Sequence, residues 1–244
     1  MPELSDEKLK LRPMQISEIC RFAMLSDREI RSDLVHGYIT DENDYTSNFT
    51  GAFRRYINSH SQNGLSATSY RLPISDERVM GCDATIIISS NSCCKVAIFE
   101  AKYPRVSQHQ RWDYRQTASG LSHFSDQLER QKIFSDRAAI FEMFYCEFPF
   151  GEQPDFMADY GSTCVWHDEA VSHNLRRENT ENIWSSNDLK KMFANGYHTI
   201  DTILRDVCLC EKGRLLPDIL PESISDFLLP LQGEVLRIEA SNAN

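Results

Sequence analysis

Apolar residues recur every three to four positions near the start of the chain, at Ile16, Ile19, Cys20, Ala23 and Met24, and this spacing predicts a helix. A second helix is expected over residues 42 to 60. Asp41 is its N-cap, Glu42 and Asp44 suit its first turn, and Phe49, Phe53, Tyr56 and Ile57 form its apolar stripe. After the turn at Asn63-Gly64 the pattern changes to strands. Residues 66 to 74 alternate loosely, 81 to 90 are rich in β-branched side chains, and 95 to 102 read as the returning arm of a hairpin through Ser89 to Ser92. Pro104 ends that arm.

A long helix or helix pair is then expected over 107 to 134, and a buried strand over 138 to 147. Residues 149 to 161 read as a loop, and Thr163 to Trp166 as a further short strand. A helix over 187 to 209 is marked by Leu189, Met192, Phe193, Ile200, Ile203, Leu204 and Val207, with Ser186 or Asn187 as its cap. The last thirty residues, with three prolines, read as an irregular wrap. These elements predict an α/β fold: one domain over 1–244, with a central mixed sheet of about four to six strands, helices on both faces and a helical portion over 185–244.

Composition narrows the function. A chain of 244 residues can build a core without staples, so a metal here would serve chemistry rather than folding. The net charge of −10 argues against a protein that coats nucleic acid by neutralising phosphates. It leaves room for an enzyme with acidic metal ligands inside a local basic rim. Residues 102 to 137 supply such a rim, with seven Lys/Arg against four Asp/Glu. The eight cysteines include no C-x-x-C pair and no zinc spacing, which fits reduced thiols in the cytoplasm, and no apolar run approaches a membrane span.

One constellation stands out. Glu100 and Lys102 are two apart on a strand and share a face, while Asp83 starts the strand before. In an antiparallel hairpin the start of one strand lies opposite the end of the next, which brings Asp83 to Glu100 and Lys102. Two adjacent carboxylates repel unless a cation bridges them, and Mg²⁺ accepts one or two carboxylates while keeping positions for water and phosphate oxygens. The simpler alternative is a hairpin that ends in a surface ion pair.

Asp83, sixteen intervening residues, and then Glu100-Ala101-Lys102 resembles the PD-(D/E)xK phosphodiesterase superfamily, which includes restriction endonucleases; the first motif reads Gly-Cys-Asp rather than Pro-Asp. The resemblance covers roughly residues 38 to 147 and implies a restriction endonuclease-like core. It implies Mg²⁺-dependent hydrolysis of DNA, with Mn²⁺ as a substitute and RNA as an alternative substrate. By resemblance Asp83, Glu100 and Glu42 hold metal, Lys102 acts on the attacking water or the phosphate, and Gln127 or Gln131 faces the site. It also implies a restriction or phage-defence setting, as a homodimer or with a partner subunit. An idle nuclease fold that serves as a scaffold is the rival reading.

Each supporting residue has a blander alternative. Glu42 can simply complement a helix dipole, Gln127 and Gln131 can line a solvated helix face, and His123 can be a half-buried, hydrogen-bonded histidine. Arg105, Arg111 and Arg115, interleaved with Tyr103, Trp112 and Tyr114, form either a nucleic-acid contact or an amphipathic helix with one buried Trp. His167-Asp168 with His173 reads as a polar loop rather than a metal cluster. A second match to the pattern, Pro154-Asp155 with Asp188-Leu189-Lys190, fails because Asp188 and Lys190 diverge in a helical first turn.

Overall fold

The computed structural model describes residues 9–72, 82–104, 112–116, 120–146, 161–177, 182–218 and 233–241. Two long helices come first, α1 (Pro13–Val35) and α2 (Glu42–His60). The Asp41 carboxylate caps α2 by accepting from Asp44 N–H at 2.8 Å. Strand β1 (Leu65–Leu72) follows, then the hairpin β2 (Ala84–Ser90) and β3 (Cys93–Lys102). The hairpin turns at Asn91-Ser92, where Asn91 takes the left-handed φ of +57° that asparagine tolerates.

Helix α3 (His123–Gln131) ends in a short 3₁₀ turn, Lys132–Phe134, and leads into β4 (Ala139–Phe144). Strand β5 (Thr163–Trp166) runs directly into α4 (His167–Arg176), followed by α5 (Ser186–Asn195), α6 (Ile200–Cys208), β6 (Leu216–Pro217) and β7 (Gly233–Ala240).

All seven strands join one mixed sheet in the order β1-β7-β2-β3-β4-β5, with β6 pairing the outer end of β3. β7 is antiparallel to β1 and parallel to β2; β3 is antiparallel to β2 and parallel to β4; β5 is antiparallel to β4. Every residue of β3 is buried, as expected for a central strand covered on both faces. Even Lys95 lies inside, its ammonium donating to the Gly213 carbonyl.

Side chains alternate between the faces. Ala97, Phe99 and Ala101 of β3 join Phe141 and Met143 of β4 under α1, α2 and α6 in the main apolar core. On the other face Val96, Ile98 and Ile140 pack together, and beyond them Phe144 packs with Trp112, Phe124, Trp184 and Phe193 beside α3, α4 and α5. This second face is the one that also carries Glu100, Lys102 and Glu142.

Four sequence expectations change. The described part of 107–134 is helical only from His123; residues 112–116 are irregular, with bends at Trp112 and Asp113 and a bridge between Arg115 and Ser122. The buried Asp113 carboxylate explains this. It accepts from Ser122 Oγ at 2.7 Å, Phe124 N–H at 2.9 Å and Trp184 N–H at 2.7 Å, and so ties this segment to the start of α3. The helix expected over 187–209 is two helices, capped at Ser185 and parted at Gly196. The irregular tail contributes β7, an interior strand between β1 and β2. The alternation of Leu236, Arg237, Ile238 and Glu239 is a strand signal in the sequence, but it is short and follows three prolines. The sheet has seven strands rather than four to six.

Candidate active site at the end of the central strand

The register of the hairpin pairs Ala84 with Phe99, so the next residues outward, Asp83 and Glu100, meet across it. Asp83 N–H still donates to the Phe99 carbonyl at 2.9 Å. The Asp83 side chain then turns to the edge of β3 and accepts from Ala101 N–H at 2.7 Å. In this way the carboxylate continues a ladder that the backbone of β2 has left.

Glu100 and Lys102 project together from β3 and are both buried, 3% and 4% exposed. The Lys102 ammonium donates to Glu100 Oε1. Gln127, at 5% exposure on α3, donates its amide to the same oxygen. Glu42 reaches the site from α2, where its Oε1 accepts from Tyr103 N–H at 2.9 Å, just past Lys102. Strand β3 therefore brings two groups to its own C-terminal end, and the residue before β2 and helices α2 and α3 bring one each.

The electrostatics follow from burial and crowding. Burial pushes the Glu100 carboxyl well above its usual range; Asp83 and Glu142 add to this, and Lys102 opposes it. For Lys102, burial works against the ammonium, but Glu100, Glu42 and Asp83 outweigh it and keep the group protonated beyond the ordinary lysine range. Asp83, Glu100 and Glu42 thus bring three carboxyls to the single ammonium of Lys102, an excess of acids over cations at this corner. A hard divalent cation is the species that corrects such an excess.

Among the described residues, no three His, Cys, Asp or Glu side chains stand close enough together to enclose a metal ion. The donor set present, Asp83 and Glu100 with Glu42 nearby, matches a Mg²⁺ ion that takes one or two carboxylates and fills its other positions with water and substrate.

The remaining candidates separate. Gln131 is fully buried but hydrogen bonds Cys82 rather than Glu100. His123 stands one turn before Gln127, half-buried, stacked on Tyr114 at 4.4 Å, and burial and Lys102 lower its pKa. Arg115 is exposed on the segment before α3, while Arg105 and Arg111 lie outside the described residues. Trp112 belongs to the core, packed edge-on against Phe124, Phe144 and Trp184. His167 is no loop residue: it opens α4, and both it and His173 are buried. Asp188 and Lys190 do fall in the first turn of a capped helix; Pro154 and Asp155 lie outside the described residues.

One group escaped the sequence reading. Glu142 is the register partner of Glu100 on β4, and it is fully buried. Its Oε1 contacts His167 Nδ1 at 3.2 Å. The signal was a lone acid inside the apolar run Ala139 to Tyr145, where a buried charge requires a reason.

The frame is an α/β protein built on a seven-stranded mixed sheet, with an acid-rich, lysine-bearing corner at the end of its central strand. Compared with known proteins, the chain matches no family model and no curated protein. Among the described residues, no helix is long and apolar enough to cross a membrane.

Proposed function

We propose that this chain is a divalent-metal-dependent nuclease with a restriction endonuclease-like core, acting on DNA. The observation that carries the reading is the assembly of Asp83, Glu100, Lys102 and Gln127 at one end of β3, with Glu42 beside it. A surface ion pair is the alternative for a short Glu-x-Lys motif, and it does not account for burial of both partners with a third side chain on the same oxygen.

In this reading Asp83 and Glu100 hold Mg²⁺ or Mn²⁺, and Glu42 completes the acidic set. The bound ion supplies Lewis acidity at the phosphate and acidifies a bound water. Gln127 fixes the Glu100 carboxylate so that it does not swing away when Lys102 moves to its task. Lys102, kept charged by its acidic neighbours, orients the attacking water and stabilises negative charge developing on the scissile phosphate. Arg115, exposed ahead of α3, suits contact with the backbone phosphates, and Arg105 and Arg111 are its companions in the sequence. A cytoplasmic defence role, as a homodimer or with a partner subunit, belongs to the same proposal.

The test is cleavage of DNA and of RNA with Mg²⁺ or Mn²⁺ by the wild type, Glu100→Ala and Lys102→Ala, with circular dichroism to check folding. Cleavage of DNA that both variants lose while remaining folded is the expected result. Cleavage of RNA alone would change the substrate. No cleavage of either by the wild type would leave the idle-scaffold reading, which has its own support: Lys102 and Gln127 already occupy Glu100 Oε1.

A further inference from the structure

Residues 114–116 and 121–123 pair as a small antiparallel clip at the start of α3. His123 N–H donates to the Tyr114 carbonyl and Gln116 N–H to the Leu121 carbonyl, each at 2.8 Å, and Arg115 bridges Ser122 between them. The buried Asp113 carboxylate anchors both arms. It accepts from Tyr114 N–H at 2.9 Å on one arm, and from Ser122 Oγ and Phe124 N–H on the other. The backbone that carries Tyr114 is thereby fixed against α3.

On this clip the Tyr114 ring stacks on the His123 ring, with centres 4.4 Å apart and planes 15° from parallel. His123 covers one face of the tyrosine, yet Tyr114 is 50% exposed, so its open surface is the opposite face and the edge. A lone exposed aromatic ring is ordinary on a protein surface. This one is set apart by its place. His123 lies one helical turn before Gln127, about 6 Å along α3, and Gln127 bonds Glu100. The charge of Lys102 reaches the His123 ring and, after burial, is the strongest influence lowering its pKa. Exposed Arg115 is the next residue along the clip.

We propose that the Tyr114–His123 stack is a base-stacking platform beside the Glu100–Lys102 corner, and that the strand taken there is single-stranded DNA. This rests on the nuclease reading and names the form of its substrate. Inside a duplex the faces of each base are covered by its neighbours, and the grooves offer only base edges and backbone. A fixed ring with one open face suits an unpaired base, whose own π-face is free. Arg115 suits an adjoining phosphate. Net charge gives a second reason. A chain at −10 draws little affinity from general attraction to phosphates, whereas stacking acts without charge.

The alternative is that Tyr114 only shields the half-buried His123. A leucine would shield it equally well without offering an aromatic face, so that substitution separates the two roles.

The test is fluorescence anisotropy with one short oligodeoxynucleotide, single-stranded or annealed to its complement, in Ca²⁺, with cleavage followed separately in Mg²⁺. The wild type is expected to bind the single strand about tenfold or more tighter than the duplex. Tyr114→Leu should lose that preference and Tyr114→Phe should keep it. Tyr114 is half exposed, so both variants should melt with the wild type. In protein with labelled tyrosine, the Tyr114 ring protons should move upfield as the single strand binds, because a base then lies over the ring. The proposal is overturned by duplex bound as tightly as single strand, by binding of neither, by Tyr114→Leu that binds like the wild type, or by ring resonances that stay in place. Cleavage of duplex that Tyr114→Leu leaves untouched would overturn it and keep the nuclease reading. Single-strand binding that depends on Tyr114, with no cleavage of any substrate, would support the platform and remove the nuclease reading.

Discussion

Asp27 and Glu142 are both carboxyls sealed in the interior, 1% and 0% exposed, and their surroundings differ sharply. Asp27 on α1 accepts from Tyr45 Oη at 2.7 Å, Ser162 Oγ at 2.6 Å and Ser162 N–H. Tyr45 in turn stacks on Tyr145 with ring centres 3.6 Å apart. Asp27 thus ties α1, α2 and the segment before β5 into one knot with both oxygens used. Glu142 has the single contact to His167, and its second oxygen is left over. A buried acid whose oxygens are all satisfied is part of the scaffold. Glu142, beside Glu100 and with an oxygen to spare, lies instead next to the acid-rich corner at the end of β3.

The comparison can be broken in several ways. The largest effect should fall on chemistry. Lys102→Ala should lower DNA cleavage about 10²- to 10³-fold while the melting temperature moves little, read by a gel assay beside a thermal melt. Retained cleavage would remove Lys102 from the proposed mechanism.

Asp27→Ala comes next. It removes the acceptor of both Ser162 donors, while the Tyr45 hydroxyl keeps the residue-27 carbonyl at 3.0 Å, so denaturant unfolding should show a loss of about 3 kcal/mol. Gly161→Ala presses on the same knot. A Cβ there would stand 2.5 Å from Oδ2 of the Asp27 carboxylate, whose two oxygens together accept three hydrogen bonds, and the expected cost is about 2 kcal/mol. Glu142→Gln should cost less than about 1 kcal/mol, because the amide oxygen still accepts from His167 and the leftover oxygen is replaced. A loss as large as that of Asp27→Ala would erase the distinction between the two acids.

The subtlest expectation is a slope. Burial raises the Asp27 pKa despite its hydrogen bonds. An acid whose folded pKa lies above its unfolded value stabilises most below the unfolded pKa, and that contribution fades as pH rises through the folded value. Unfolding free energy measured from about pH 4 to 8 should carry this decline in the wild type and lack it in Asp27→Asn. Equal slopes would place the titration elsewhere.

Sequence alone determined the elements whose signals are local. The Asp41 cap and apolar stripe fixed α2, the β-branched run and Asn91 turn fixed the hairpin, and the period-two rule set Glu100 and Lys102 on one face. Hairpin register is local as well, so the approach of Asp83 to Glu100 was legible. What the tertiary structure alone decided was every contact between distant segments. β7 enters the sheet between β1 and β2, Asp113 halts the helix expected before His123, and Gln127 rather than Gln131 meets Glu100. The pairing of Glu100 with Glu142, and of Glu142 with His167, belongs with these. Such contacts depend on which surfaces remain to be covered once local elements have formed, and on where a buried charge can find a partner. Both are properties of the packed whole, which no window of neighbouring residues contains.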